Sequence, residues 1–327
     1  MVKISLWIGE GCMSSSIISL VDAFYIANLW HRNLEEERVL PLFETQIVST
    51  DGKPVLAQGN VRLAPDMSIQ DVDRTDCVVI SPLLPKITPL PEDLGLLGQW
   101  LEKMKSQDAL IASVCTGTFL LAQMGLLDGK KATTNWQYAR LFKKQFPKVR
   151  LVPEDILTED DNIICTGAAT AVNNLSLHLI GRYGSRKLFN ACSKALLIDP
   201  NRSSQTPYAM PIAFRSHGDI QVLKAQKLIE SEYAQIKTID DIARRVGISP
   251  RHFKRRFKKA TGDLPLKYLQ KVRIDAAKER LETTHETIDK ITGSVGYSDI
   301  SSFSRLFKQH TRISPKIYRE KFYCQLH

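Results

Sequence analysis

The chain has 327 residues, 43% hydrophobic and 24% charged, a globular balance that excludes a disordered or fibrous chain and suffices for two domains with their own cores. Its formal net charge is +10, and the excess is uneven: residues 1–218 hold 22 Lys+Arg against 22 Asp+Glu, whereas residues 219–327 hold 23 against 13. A neutral segment joined to a strongly basic one points to a polyanionic partner for the second, nucleic acid above all.

The first thirty residues are partly apolar, but Glu10 and Asp22 interrupt them and no basic leader or cleavage pattern is present, so no signal peptide is expected. No run approaches the roughly 18 apolar residues of a membrane span. Residues 4–8, 45–49, 77–81, 110–114 and 162–165 read as strands, and residues 17–30, 98–105, 118–124 and 170–183 as helices. Strands alternating with helices predict a parallel, doubly wound α/β sheet of flavodoxin-like type. A polar, turn-rich stretch follows from Asp199 to Pro207, then Pro211, placing the domain boundary within 200–219. Beyond it the chain reads as all-helical. The expected division is an α/β domain over 1–205, a linker over 206–219 and a DNA-binding domain over 220–321. The six cysteines, Cys12, Cys77, Cys115, Cys165, Cys192 and Cys324, form no CxxC pair. That spacing suits reduced thiols in a cytoplasm, and neither a metal site nor a cofactor is expected.

The helical part contains an internal repeat. Ile239, Ile242, Val246 and Gly247 recur 49 residues later as Ile288, Ile291, Val295 and Gly296. After one inserted residue, Phe253, Phe257, Thr261, Pro265 and Tyr268 recur as Phe303, Phe307, Thr311, Pro315 and Tyr318. Each copy, about 238–260 and 287–310, reads as helix, tight turn, helix. The glycine supplies a left-handed C′ residue, Ser249 is an expected N-cap, and Pro250 suits a first helical turn. This is a helix-turn-helix, whose second helix enters the major groove of double-stranded DNA. In the first copy, Arg251, Lys254 and Arg255 lie opposite Phe253 and Phe257, with His252, Arg256, Lys258 and Lys259 extending the positive surface. In the second, with Ser298 or Asp299 as cap, the exposed positions are Ile300, Ser301, Ser304 and Arg305. Arginine can give guanine two hydrogen bonds, so the first copy is expected to supply more affinity and the second a narrower share of readout. Residues 267–283 lack Gly and Pro and read as one continuous helix fixing the two readers, about one DNA turn apart.

Residues 295–299 (VGYSD), 303–307 (FSRLF) and 314–319 (SPKIYR) resemble the AraC/XylS family of transcription regulators, over roughly 220–320. The resemblance implies base-reading roles for Arg251, Lys254 and Arg255 and for Ile300, Ser301, Ser304 and Arg305. Two positions depart from the family pattern: Thr292 replaces a small Ala, and Arg312 stands where a Gly follows the Thr. Residues 112–122 (ASVCTGTFLLA) and 125–136 (GLLDGKKATTNW) resemble the PfpI/class I glutamine amidotransferase superfamily, in the form fused to AraC-type readers. That resemblance implies a strand-to-helix elbow at Cys115, where enzymes of the superfamily hold a nucleophile.

A cysteine nucleophile needs a base, and the positions where relatives carry one hold Thr116 and Asn135, with Asn174 at a later acidic position. None can accept and return a proton at neutral pH. His31 and His178 lie in helical patterns, as surface or packing residues do. No catalytic residue is therefore expected; Cys115, Asn135 and Trp136 are expected to line a small-molecule site at the strand ends. The resemblance implies an amino-acid-derived amine as effector, a cation that a tryptophan face can hold, although Trp7, Trp30, Trp100 and Trp136 are of a type more often found in a core than in a cage. The expected protein is a homodimeric, effector-controlled DNA-binding regulator, with RNA polymerase as a further partner and no membrane association. The alternative is a cysteine hydrolase or glyoxalase-like enzyme acting through Cys115, with a DNA-tethering tail.

Overall fold

Residues 77–80 and, but for Ser113, residues 110–114 are apolar on both faces of the strand period, a pattern that fits strands covered on both sides. In the structure, a computed structural model describing residues 1–35, 40–83, 94–210 and 217–323, both are central strands with every residue buried. Pro211 and Cys324 lie outside the described residues. The chain divides into two units, Met1–Gln205 and Thr206–His327.

The first unit is built on β1 (Val2–Trp7), β2 (Phe43–Ser49), β3 (Met67–Ser68), β4 (Cys77–Ile80), β5 (Leu110–Val114), β6 (Leu157–Asp160) and β7 (Ile163–Thr166). Among the described residues these form one seven-stranded sheet in the order β6-β7-β5-β4-β1-β2-β3. All neighbours are parallel except β6 with β7, which pair Leu157 to Thr166 and Asp160 to Ile163 in antiparallel register. The expected parallel sheet thus ends on an antiparallel edge, because Asp161 and Asn162 take positive φ (50° and 56°) and close a two-residue hairpin. The chain order reverses between β1 and β4, and open α/β sheets place their ligand crevice at such a switch point.

Helix α1 (Ser14–Leu34) buries Ile17, Leu20, Phe24 and Ala27 against this core. The sequence reading also recovers α2 (Leu94–Ser106), α3 (Gly117–Gln123) and α5 (Val172–Tyr183), but not α4 (Ala139–Gln145) or α6 (Arg186–Ala195). Residues 199–205 are not a free linker. Ile156 N donates to Ser203 O at 3.0 Å and Gln205 N to Glu154 O at 3.0 Å, tying this stretch to the first unit.

The second unit comprises α7 (Ile220–Glu232), α8 (Ile239–Arg245), α9 (Pro250–Thr261), α10 (Pro265–Thr283), α11 (Ile288–Ser294), α12 (Ile300–Thr311) and α13 (Pro315–Phe322). It has two cores. Ile242, Phe253, Phe257 and Leu269 belong to one, and Ile291, Phe303, Phe307 and Tyr318 to the other. Each fully buried aromatic contributes roughly 1.5–3 kcal/mol relative to exposure.

Candidate functional site

The two helix-turn-helix copies repeat at atomic detail. Gly247 (φ 72°) and Gly296 (φ 88°) both turn left-handed between their helices. Thr261 Oγ1 donates to Phe257 O at 2.7 Å, and Thr311 Oγ1 to Phe307 O at 2.8 Å. Phe257 meets Tyr268, and Phe307 meets Tyr318, each edge-on with ring centroids 5.4 Å apart. The first helices are capped alike: Thr238 accepts from Asp241 N, and Thr287 from Lys290 N. Ser249 occupies the N-cap of α9 but its side chain makes no capping bond, contrary to expectation, whereas Asp299 caps α12 by accepting from Ser302 N at 2.7 Å.

With Phe253 and Phe257 facing inward, Arg251, Lys254 and Arg255 stand exposed on α9; Lys254 lies 3.4 Å from Asp240. On α12, Ile300 (42% exposed), Ser301 and Arg305 are exposed and Ser304 is half-buried. Arg256, expected to extend the positive surface, has its guanidinium clamped on Asp219 at 2.9 and 2.8 Å. Asp219 in turn accepts from Val222 N and caps α7. Burial pushes the Asp219 carboxyl up, but the Arg256 and Val222 bonds outweigh it and hold it below the usual carboxylate range.

The sequence did not signal Arg273 of α10. Its guanidinium donates to Tyr233 O (3.0 Å) and Ile236 O (2.8 Å), and it lies over the Tyr297 ring at 5.1 Å. It therefore joins the first copy to the turn of the second. Gly296 permits this approach, since a Cβ there would lie 2.6 Å from Ala234 O. The two departures from the family pattern are accommodated. Thr292 is 1% exposed and donates to Ile288 O, and Arg312 takes a left-handed φ of 67° where the first copy has Gly262.

In the first unit Cys115 follows β5 with φ 56°, the expected elbow, and its N donates to Thr166 O at 3.1 Å. Gly117 makes the turn possible: a Cβ there would sit 2.8 Å from Ile80 O and 2.9 Å from Ser81 O. The structure brings Asn135 to Cys115, Nδ2 donating to Sγ at 3.6 Å, while Thr134 Oγ1 donates to Cys115 O at 2.7 Å. The thiol is 1% exposed. Burial pushes its pKa up, and the bonds from Asn135 and Thr116 only moderate the rise. Trp136 is half-buried and enters through its backbone, N donating to Gln205 Oε1 at 3.4 Å. Trp7 and Trp100 are core residues.

Three side chains that could have stood as a base do other work. Thr116 Oγ1 donates to Leu83 O at 2.9 Å, Asn174 Nδ2 donates to Arg202 O at 3.1 Å, and His178 of α5 lies 2.9 Å from Glu159. His31 stands in the last turn of α1. Gln205, absent from the sequence reading, is 2% exposed and binds Thr133 Oγ1 and Thr134 O behind Asn135. Its place in a turn-rich stretch disguised it.

A doubly wound unit with a cysteine elbow, joined to paired helix-turn-helix cores, defines a class of two-part DNA-binding proteins. The chain belongs to the DJ-1/PfpI family, whose profile matches residues 4–181, and carries an AraC-type helix-turn-helix domain, matched over 242–321. It is 25% identical over 282 residues to the HTH-type transcriptional regulator GbdR of Pseudomonas aeruginosa, covering 85% of this chain and 75% of that protein. It is 24% identical over 299 residues to the HTH-type transcriptional regulator CdhR of the same species, covering 91% and 85%. The isonitrile hydratase of Pseudomonas putida is 31% identical over 141 residues, 43% of this chain and 59% of that enzyme. The crystal structure of Drosophila melanogaster DJ-1beta shares the fold, with TM-score 0.51 and 20% identity over 61% of this chain and 98% of that one. Among the described residues no helix is long and apolar enough to cross a membrane.

Proposed function

We propose that the chain is a sequence-specific transcription regulator that reads double-stranded DNA with α9 and α12 under the control of a small molecule held beside Cys115, Asn135 and Trp136. The observation that carries it is the coincidence of two reader helices with the only basic third of the chain. Arg251, Lys254 and Arg255 supply guanine-directed donors in one half-site. Arg305 does so in the other, where Ile300 adds an apolar contact of the kind that meets a thymine methyl and Ser301 and Ser304 offer short hydroxyls. An amino-acid-derived amine is the effector class, with the Trp136 indole as its cation-binding face. We place the protein in the cytoplasm as a homodimer whose first unit serves sensing and self-association, with RNA polymerase as a further partner.

Catalysis is not part of this reading. A thiol pushed up by burial stays protonated at neutral pH, and its hydrogen-bond partner is an amide, which cannot relay a proton. The elbow geometry and the likeness to an isonitrile hydratase favour the second reading, a cysteine-dependent enzyme with a DNA-tethering tail. Binding-site selection with the full chain, against random DNA at physiological salt and over a panel of small amines, tests the first. Enrichment of a two-part motif that one amine strengthens or weakens is expected; a flat selection overturns it, because electrostatic attraction alone gives no specificity ratio.

A further inference from the structure

The last residue of the first unit, Gln205, is 2% exposed. Its backbone runs beside residues 154–156, with an antiparallel bridge between Asp155 and Ser204 and Gln205 N donating to Glu154 O at 3.0 Å. Its carboxamide meets a complementary set of groups. Nε2 donates to Thr134 O at 2.8 Å, Thr133 Oγ1 at 3.2 Å and Asp155 O at 3.3 Å, and Oε1 accepts from Trp136 N at 3.4 Å. Thr133 Oγ1 gives its one proton to Asp155 O at 2.8 Å, so it faces Nε2 as an acceptor.

Three acceptors around the nitrogen and an N–H at the oxygen fix which way round the amide sits. They also select a chemical class. A primary carboxamide fits, whereas a carboxylate would set a second oxygen against three acceptors. The space is cut to size as well. Gly167 is buried, and a Cβ there would lie 2.7 Å from Gln205 Oε1 and 2.8 Å from both Cδ and Nε2.

The stretch that this amide holds is the one that covers Cys115. Thr134, whose carbonyl accepts from Gln205, donates through Oγ1 to Cys115 O at 2.7 Å. Asn135 Nδ2 donates to Cys115 Sγ at 3.6 Å, and its Oδ1 accepts from Gln137 N at 3.0 Å. Each of residues 133–136 is therefore bonded to Gln205, to Cys115 or to both. We propose that Gln205 is a built-in carboxamide ligand, a positioning residue that fills a site of its own unit and holds Asn135 and Trp136 in place at Cys115. Its part in sensing rests on reading Cys115, Asn135 and Trp136 as a ligand site; its hold on the loop does not. Without the amide, buried donors and acceptors lose their partners, and the loop opens to water to recover them. The thiol is then uncovered.

Labelling of the full chain by N-ethylmaleimide, with neither DNA nor effector present and with mass spectrometry of each cysteine peptide, tests it. Gln205→Ala is expected to speed labelling of Cys115 about tenfold or more. Buried Cys77 of β4 and Cys192 of α6 should keep their rates. Acetamide in excess replaces the atoms removed and is expected to bring Cys115 back to within about threefold of the unsubstituted rate, whereas N,N-dimethylacetamide, with no N–H to donate, leaves it fast. Gln205→Glu should label as fast as Gln205→Ala. If Gln205→Ala fails to fold, Gly167→Ala pushes a methyl group into the amide's space and serves instead, with Cys115 fast and acetamide without effect. Unchanged labelling of Cys115, equal acceleration at all three thiols, or rescue by both amides or by neither overturns the proposal, as does a Gln205→Glu chain as slow as the unsubstituted one. Because no effector enters the measurement, such a result leaves the ligand reading standing. Conversely, the expected labelling with no amine altering DNA selection defeats the ligand reading alone.

Discussion

At Cys115 the backbone is held at φ 56° while the side chain is 1% exposed. The first feature is that of a nucleophile elbow, the second that of a core thiol, and the reactivity follows the second. With burial pushing the pKa up, iodoacetamide labelling of Cys115 should be slower than that of an unburied cysteine at neutral pH and should climb with pH past the ordinary thiol range. Rapid labelling at pH 7, followed by mass spectrometry of the Cys115 peptide, would restore the enzyme reading. The proposed DNA contacts are separable one residue at a time as well. Arg255 is exposed and makes no ion pair among the described residues. Arg255→Ala should weaken specific binding by about 1–3 kcal/mol and relax one base preference, as read by titration of base-substituted duplexes. A uniform loss on every duplex would assign Arg255 to phosphate instead. Arg251, Lys254 and Arg255 were legible in the sequence because helical periodicity alone puts them opposite two phenylalanines. Arg256 was not, because its acceptor, Asp219, lies 37 residues away in sequence.

Among the elements, the two reader helices end differently. Gly262 closes α9 at φ 81°, and Arg312 closes α12 at φ 67°, in a region where a Cβ is strained. Arg312→Gly should therefore stabilise the second unit by about 1 kcal/mol in thermal unfolding; a neutral or destabilising result would show that the arginine head group compensates the backbone. The start of α7 carries the reverse case, an end held by a distant partner. Arg256 and the Val222 amide hold the Asp219 pKa below its unfolded value, so their contribution is present above the ordinary carboxylate value and is lost as pH falls through the depressed one. Arg256→Ala should cost about 1–3 kcal/mol at pH 7, and the gap from the unsubstituted chain should narrow below about pH 4 in urea titrations. A gap independent of pH would mean that the arginine stem, not its charge, does the stabilising. Of the elements that went unread, the edge strand β6 acquires its identity only from pairing with Ile163–Thr166, a strand that the sequence did show.

On the scale of the whole chain, a regulator of this kind needs its two readers at a fixed separation. The continuous helix α10 was expected to fix it, and it spans Pro265–Thr283 as one element. Yet a single helix resists bending better than it resists relative rotation of the cores at its two ends. Arg273, bonded to Tyr233 O and Ile236 O and lying over Tyr297, is the second point of fixation. Arg273→Met should leave binding to a single half-site within about 0.5 kcal/mol while weakening binding to the paired site by about 1 kcal/mol or more, measured on duplexes carrying one or both halves. Equal losses on both duplexes would show that Arg273 acts on folding alone. By itself the sequence determined the charge asymmetry, the alternation of strand and helix, the repeat and the elbow, because each depends on residues close together in the chain or on a simple count. Only the tertiary structure decided that Arg256 is held on Asp219 and that Gln205 stands behind Asn135. Those facts depend on which distant segments share a boundary, and packing settles that only after the whole chain has collapsed.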